Sequence, residues 1–556
     1  MFSPQGLYSD ASVLSRALIS LSDKSHLHEL ASFLSQQNCE IFATSSTLIE
    51  LKKLGVPATG IDELTQFPEI LGGRVKTLHP AVFGPILARG DVLEDAQELA
   101  KYNLLPFDLV VCNLYPFQET ASKSVDLVAL IEKIDIGGVT LLRAAAKNCA
   151  RVSVLCDPRD YKSFIKNVLK NEGKVGAKLR VALALKAIRE TAAYDTVISG
   201  TLNSLVGSWA DSDIEINGPI KQKSNSANND EFGAVKNLSL AKIQGLRYGE
   251  NPHQNAAFYS WNDSANRNEI GGFCNLTDLK CLNGKELSYN NVLDIEHAVR
   301  LVNEFKTSAA VIVKHNVPCG VAIRNTPNEN IASIYQRAFA ADPVSPFGGI
   351  VCFNETVDEQ VAQKLYETFL EVIVAPDFDA VALECLQRKM NLRLVKLNTS
   401  LPLANKLQIT QVQGGFLCQS VDGALLKSED FKVVTQTQAD EQTILDMNFA
   451  FTVVKHVRSN AIVLARNGQV LAIAGGFTNR VDAVEHCLKK ARISLEGAVL
   501  ASDAFFPFPD SIDLLKGSGI KAIIQPGGSV QDSAVIAAAN AQNLCMALTG
   551  MRHFKH

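Results

Sequence analysis

Residues 17–55 read ALISLSDKSHLHELASFLSQQNCEIFATSSTLIELKKLG, and the periodicity of this stretch decides the fold class. Residues 17–21 form an apolar run with the length of a short buried strand. Residues 26–36 then carry apolar side chains at helical spacing. Glu40–Ala43 is a second strand candidate. Residues 47–54 are a second helix candidate, closed by Gly55 where helices favour glycine. The alternation continues through a strand at Leu109–Cys112, a helix over 139–148 and a strand over 152–156. Strands and helices in this order predict an α/β domain, a parallel sheet wrapped by helices.

The chain has 556 residues, more than one domain normally holds. From about 207 to 241 its texture turns polar, and residues 224–230 read SNSANND. We expect a first domain over 1–206, a linker or surface excursion over 207–241, and a second domain over 242–556. The second region again mixes strands (309–314, 461–465, 470–474, 498–502, 522–525) with helices such as 532–540. Asn467-Gly468 between two apolar runs is a strong hairpin signal. No internal repeat is evident, and length alone suggests two subdomains with no marked cut between them.

Formal net charge is -4, which argues against nucleic acid as a partner, because tracking phosphates needs a basic excess. No apolar run approaches the roughly 18 residues of a membrane span. Residues 1–10 lack a charged leader followed by an apolar core. A soluble, cytoplasmic protein is therefore expected. None of the 12 cysteines forms a C-x-x-C pair, so reduced thiols are expected in place of a zinc ribbon or redox site.

In the first region, Ser20, Ser22 and Lys24 follow one strand and Thr44-Ser45-Ser46-Thr47 follow the next. In a parallel sheet both groups lie at strand carboxyl ends beside helix N-termini, where free N–H groups and the helix dipole favour anions. They suit a phosphate cradle, and the same hydroxyls would equally serve as helix N-caps. Gly72-Gly73 lead into Arg74-Val75-Lys76-Thr77-Leu78-His79, which packs cations, a hydroxyl and an imidazole into one short segment. Asn113-Leu114-Tyr115-Pro116 end an apolar strand. Asp135-Ile136-Gly137-Gly138 precede a helix carrying Arg143 and Lys147, and such a glycine pair lets a ligand approach the backbone.

In the second region, Arg247-Tyr248 offers an anion a guanidinium fork and a hydroxyl, or forms a structural turn before Asn251-Pro252. Lys314-His315 ends an apolar strand and precedes Pro318-Cys319-Gly320. A cationic pair there suits proton transfer beside an anionic substrate. Pro318-Cys319 invites a test for zinc. Zinc deaminases use H-x-E and P-C-x-x-C, whereas this chain has His315-Asn316-Val317 and Cys319-Gly320-Val321-Ala322. No catalytic metal is expected. Residues 501–508, ASDAFFPF, read as an exposed loop whose three aromatics suit a flat ring.

Residues 17–24, the segments around Lys76 and Tyr115, and residues 135–148 resemble the bifunctional purine-biosynthesis family that joins an AICAR formyltransferase to an IMP cyclohydrolase. The resemblance continues through Arg247-Tyr248, Lys314-His315, residues 342–349, Ser459-Asn460, residues 502–510 and Arg552 to His556, so it spans nearly the whole chain. It implies an N-terminal methylglyoxal-synthase-like domain and a larger, cytidine-deaminase-like α/β formyltransferase region. It implies Lys76, Tyr115, Asp135 and Lys147 as catalytic in ring closure. Ser20, Ser22, Lys24, Thr44, Thr47, Arg74, Thr77 and Gly137 would bind substrate, several of them through its phosphate. In the second domain it implies Lys314, His315 and Asn460 as catalytic, with Arg247, Tyr248, Phe505, Asp510 and Arg552 binding nucleotide and folate. The implied co-substrate is 10-formyltetrahydrofolate, the nucleotides are AICAR, FAICAR and IMP, and the implied assembly is a homodimer.

The chain departs from the family pattern at Ser45-Ser46, Val317, Pro346 and Phe477. Two other readings therefore stay open: one activity kept and the other lost, or a nucleotide-sensing module without catalysis.

Overall fold

The structure is a computed structural model that describes residues 11–123, 126–206, 238, 240–261, 274–403, 407–424 and 430–556. The chain divides into two compact units, Met1–Ser239 and Leu240–His556. The polar excursion expected over 207–241 lies almost wholly outside the described residues. Among those residues no helix is long and apolar enough to cross a membrane.

The first unit is built on a five-stranded sheet in the order Thr59–Gly60, Glu40–Ala43, Arg16–Ser20, Leu109–Cys112, Ser153–Leu155. Every neighbouring pair is parallel. The central strands read as continuous apolar runs, and Leu109–Cys112 is buried along its whole length. A strand has this pattern when both faces of its sheet are covered. Helix Leu27–Gln36 packs against helix Tyr161–Lys170, and helix Gly137–Lys147 against the long helix Ala177–Val206. Helix Leu27–Gln36 buries Leu27, Leu30, Ala31, Phe33 and Leu34 on one face. Each such fully buried large apolar side chain contributes roughly 1.5–3 kcal/mol.

The second unit contains a twelve-stranded sheet, and its order reveals a duplication that the sequence hides. In one half the hairpin Ala309–Lys314/Val317–Ile323 is antiparallel. It continues antiparallel to Gly349–Phe353, then parallel to Leu370–Ala375 and to Arg393–Lys396. Lys280–Asn283 closes that edge antiparallel. In the other half the hairpin Ile462–Arg466/Gln469–Ala474 continues antiparallel to Val499–Ser502, then parallel to Ala522–Gln525 and Cys545–Leu548. Lys432–Val433 closes it antiparallel. A 14-residue helix, Tyr289–Val302 or Glu441–Val454, precedes each hairpin, and an 11-residue helix, Ile331–Ala341 or Arg480–Lys490, follows it. The halves meet where Ala322 pairs with Gln469. The expectation of no internal repeat is thus corrected. The repeat lies in pairing topology, which apolar side chains of many identities satisfy equally.

Candidate active sites

In the first unit the strand register sets the site. Ile19 pairs with Ala43 and Ser20 with Cys112, so residues 20–24, 44–47 and 113–116 all leave the sheet at its carboxyl edge. Asn113 fixes this edge, accepting from the Ser22 and Asp23 amides at 2.7 and 3.0 Å and donating to the Asp23 carbonyl at 2.7 Å. The Thr44 hydroxyl donates to Ser20 Oγ at 3.3 Å and makes no helix-capping bond. Capping therefore does not account for Thr44. Thr47 is fully buried, and its hydroxyl accepts from the Leu21 amide at 3.0 Å, which commits it to the scaffold. Ser45 and Ser46 are exposed, and the Ser45 hydroxyl is paired with Glu69. Ser45, Glu69, Lys76 and His79 line a cavity of about 530 Å³.

Asp135 is the hub of the polar contacts here. Its Oδ1 accepts from the Gly138 amide at 2.7 Å and its Oδ2 from the Tyr115 amide at 3.4 Å. The Tyr194 hydroxyl accepts from the Asp135 amide at 2.9 Å and ties this turn to the long helix. Burial pushes the Asp135 carboxyl up, while the two amides and the Lys76 ammonium oppose that rise. Gly137 begins the helix against Thr77: a Cβ there would sit 2.7 Å from Thr77 Oγ1. Lys76, Thr77, Tyr115, Asp135 and Gly137 therefore converge. Lys147 does not join them within one chain. It ends the helix that Gly137 begins, roughly 15 Å away by helical rise, beside Phe83, Arg143 and Ile188. Arg74 is exposed and paired with Glu132.

In the second unit one edge of the large sheet gathers the candidate residues. Lys314 pairs with Val317, Val313 with Ile350, Ile462 with both Ala474 and Ser502, and Gln525 with Leu548. The His315 turn, the Pro346-Phe347 loop, Asn460, Phe477, residues 503–508 and the tail beyond Leu548 consequently leave the sheet together. The Arg247–Glu250 turn reaches the same end, where the Asn290 side chain donates to the Glu250 carbonyl at 3.3 Å. Arg247 donates to the Tyr248 hydroxyl at 3.0 Å and lies over its ring.

His315 and Asn316 are both left-handed, with φ of 54° and 63°. This is the pair of positive φ values of a type I′ hairpin, and it presents His315 to solvent. Lys314 Nζ donates to the Phe347 carbonyl at 2.7 Å. Asn460 Nδ2 donates to the Phe477 carbonyl at 2.9 Å, and its Oδ1 accepts from Arg480 at 2.5 Å. Arg480 also binds the fully buried Asp503 at 2.6 Å. Asn460 thus engages only the backbone carbonyl of residue 477, while the Phe477 ring packs beside His486. Phe505 and Phe508 are exposed as expected, but Phe506 is wholly buried and belongs to the core. Arg552 lies over Phe554 in the tail, and Asp510 opens a short helix. Among the described residues no group of three or more His, Cys, Asp or Glu is placed to hold a metal ion. Sequence reading missed Asn113, Arg480 and Asp503. Asn113 and Asp503 stood inside quoted motifs, but only the folded chain shows their partners.

A parallel-sheet unit with an acid and hydroxyls at its strand ends, followed by a duplicated α/β unit with a Lys-His turn, describes a two-site α/β enzyme. A model of the MGS-like domain matches residues 26–140, and one of the AICARFT/IMPCHase bienzyme matches residues 145–490. The chain belongs to the AICARFT/IMPCHase bienzyme family. Proteins called bifunctional purine biosynthesis protein PurH are similar over nearly its full length. That of Persephonella marina is 46% identical over 97% of this chain and 99% of its own. Those of Anoxybacillus flavithermus and Aquifex aeolicus are 44% and 43% identical over 97% of this chain, and over 99% and 100% of their own.

Proposed function

We propose that this chain performs the last two steps of IMP synthesis. The second unit transfers a formyl group from 10-formyltetrahydrofolate to the 5-amino group of AICAR, and the first closes the product FAICAR to IMP with loss of water. The observation that carries this reading is full-length similarity to bifunctional relatives together with two separate sets of convergent residues, one in each unit. The chain boundary between the activities falls within 207–241 on this reading. The protein acts as a cytoplasmic homodimer without nucleic acid or membrane partners.

The amine of AICAR is a weak nucleophile because its lone pair is delocalised into the ring. A base must take its proton as attack proceeds, and His315 is that base. Lys314 exchanges the Phe347 carbonyl for the developing oxyanion or protonates the departing folate nitrogen. Asn460 retains one amide N–H beyond its bond to Phe477, and this donor orients the formyl oxygen. Arg247, Tyr248 and Arg552 hold the nucleotide, with Phe505 and Asp510 beside base and folate. In ring closure Lys76 stabilises the oxyanion, and Asp135 takes the amide proton with Tyr115 beside it. Ser20, Ser22, Lys24 and Thr44 cradle the phosphate. Lys147 joins the cyclisation site from the second protomer, because its own helix carries it away from Asp135.

The test is spectrophotometric. AICAR and 10-formyltetrahydrofolate should yield tetrahydrofolate and then IMP. Nucleotide binding with no turnover in either step would sink the proposal in favour of a sensing module, and transfer lost with cyclisation intact would leave a single activity.

A further inference from the structure

The two halves of the second unit hold their hairpin turns by the same device. The Asn316 amide donates to Asp294 Oδ1 at 2.6 Å, and the Gly468 amide donates to Asp446 Oδ1 at 3.0 Å. Each aspartate is the sixth residue of the 14-residue helix that precedes its hairpin. Each amide belongs to the second left-handed residue of its turn. The last cation of the first strand is tied in the same way: Lys314 binds the Phe347 carbonyl, and Arg466 binds the Glu496 carbonyl. One scaffold is therefore present twice in the middle of one sheet, with its two turns at opposite strand ends.

The two turns differ in what they carry. The second is Asn467-Gly468, the residue pair that adopts two positive φ values most readily. The first is His315-Asn316, in which no glycine relieves the left-handed backbone. That turn leans more heavily on its aspartate. Burial pushes the Asp294 carboxyl up, and the Asn316 amide and then the neighbouring His315 oppose that rise.

We propose that Asp294 is a positioning residue for formyl transfer: it holds the left-handed His315-Asn316 turn and so aims the imidazole. This inference rests on the reading of His315 as the base. Asp446, which carries the same bond at an edge without catalytic candidates, supplies an internal control.

The experiment compares kcat and KM for AICAR in full-length variants, with thermal melting as the measure of folding. D294A should lower kcat for transfer on the order of 10²-fold through misplacement of the base, with KM nearly unchanged. D294N keeps an oxygen acceptor for the Asn316 amide and should stay within about threefold of the parent, on the usual worth of one neutral hydrogen bond. The double variant D294A/N316G, which copies the glycine of the other turn, should recover at least about tenfold of the lost kcat by making the left-handed backbone accessible. D446A should lower the melting temperature at least as much as D294A and leave transfer kcat near its starting value. Retained kcat in D294A, an equal loss in D446A, or no recovery from N316G overturns the inference. If D294A melts too early to assay, D294N with undiminished stability and a kcat loss on the order of 10²-fold also overturns it, because the acceptor would then not suffice. H315A is run alongside: transfer intact in that variant removes the base assignment itself, separately from the role of Asp294.

Discussion

His315 and Lys76 stand in different units, so single substitutions should separate the two activities. H315A is expected to lower formyl transfer about 10²–10⁴-fold, the worth of a general base, while FAICAR cyclisation continues. K76A should do the reverse, with cyclisation falling about 10²–10³-fold on loss of an oxyanion donor. Product analysis by chromatography, starting from AICAR or from FAICAR, reads both. Gly138 gives a sharper test of Asp135. A Cβ there would lie 2.5 Å from Asp135 Oδ2 and 2.9 Å from Leu114, so G138A must displace the carboxylate. Cyclisation should fall by roughly 10²-fold, the scale for a misplaced catalytic group, while transfer is unchanged. Unchanged cyclisation in G138A would remove Asp135 from the mechanism. At this scale the candidates legible in the sequence were those concentrated in short segments, as at Lys314-His315 and residues 74–79. The sequence was silent on Arg480 and Asp503, whose value lies in bonds to Asn460 and Ser459 across about 20 and 44 residues of chain.

At the scale of elements, the first unit followed its periodicity closely. The helix expected over 47–54 begins two residues earlier, at Ser45, because Thr44 already has the extended backbone of an N-cap. The hairpin at Asn467-Gly468 forms as its turn residues demand. Its counterpart at His315-Asn316 carried no such signal, because histidine is not a usual turn residue and the constraint comes from Asp294 on a distant helix. Gly320 tests the packing of that hairpin. Its added Cβ would meet the Ala338 carbonyl oxygen at 2.1 Å, so G320A must push helix Ile331–Ala341 away from the strand. A loss of about 1–3 kcal/mol is expected from such overpacking, measured by urea unfolding of the second unit. No loss would mean that the strand and helix are not in the contact described.

At the scale of the whole molecule, the C-terminal tail and two buried histidines contribute to the response to pH. Lys555 Nζ lies 3.0 Å from His297 Nδ1 and donates to the His456 carbonyl at 3.1 Å. Burial, then the Lys555 and Arg300 charges, lowers His297 to about 3, and burial lowers His456 to about 4 despite Glu304. Both histidines are neutral in the fold and bind protons more readily when unfolded. Their contribution to stability is therefore fully present above the unfolded value near 6.5 and is lost as pH falls toward 4 and 3. Urea midpoints should fall over that window, and H297N should flatten the decline. A decline equally steep in H297N would exclude this cause. Burial lowers Lys555 to about 8, so the cost of its charge is present below pH 8 and relieved as pH rises toward 10.5. The sequence alone determined that there are two α/β regions, that the first sheet is parallel, and that the chain resembles a two-activity family. These properties reside in local periodicity and in motifs a few residues long. Only the tertiary structure decided that the second unit is a duplication, that one sheet edge gathers His315, Asn460 and the tail, and that Phe506 is core while Phe505 is not. Those outcomes depend on strand register and helix packing between residues far apart in the chain, and many different apolar sequences satisfy the same pairing.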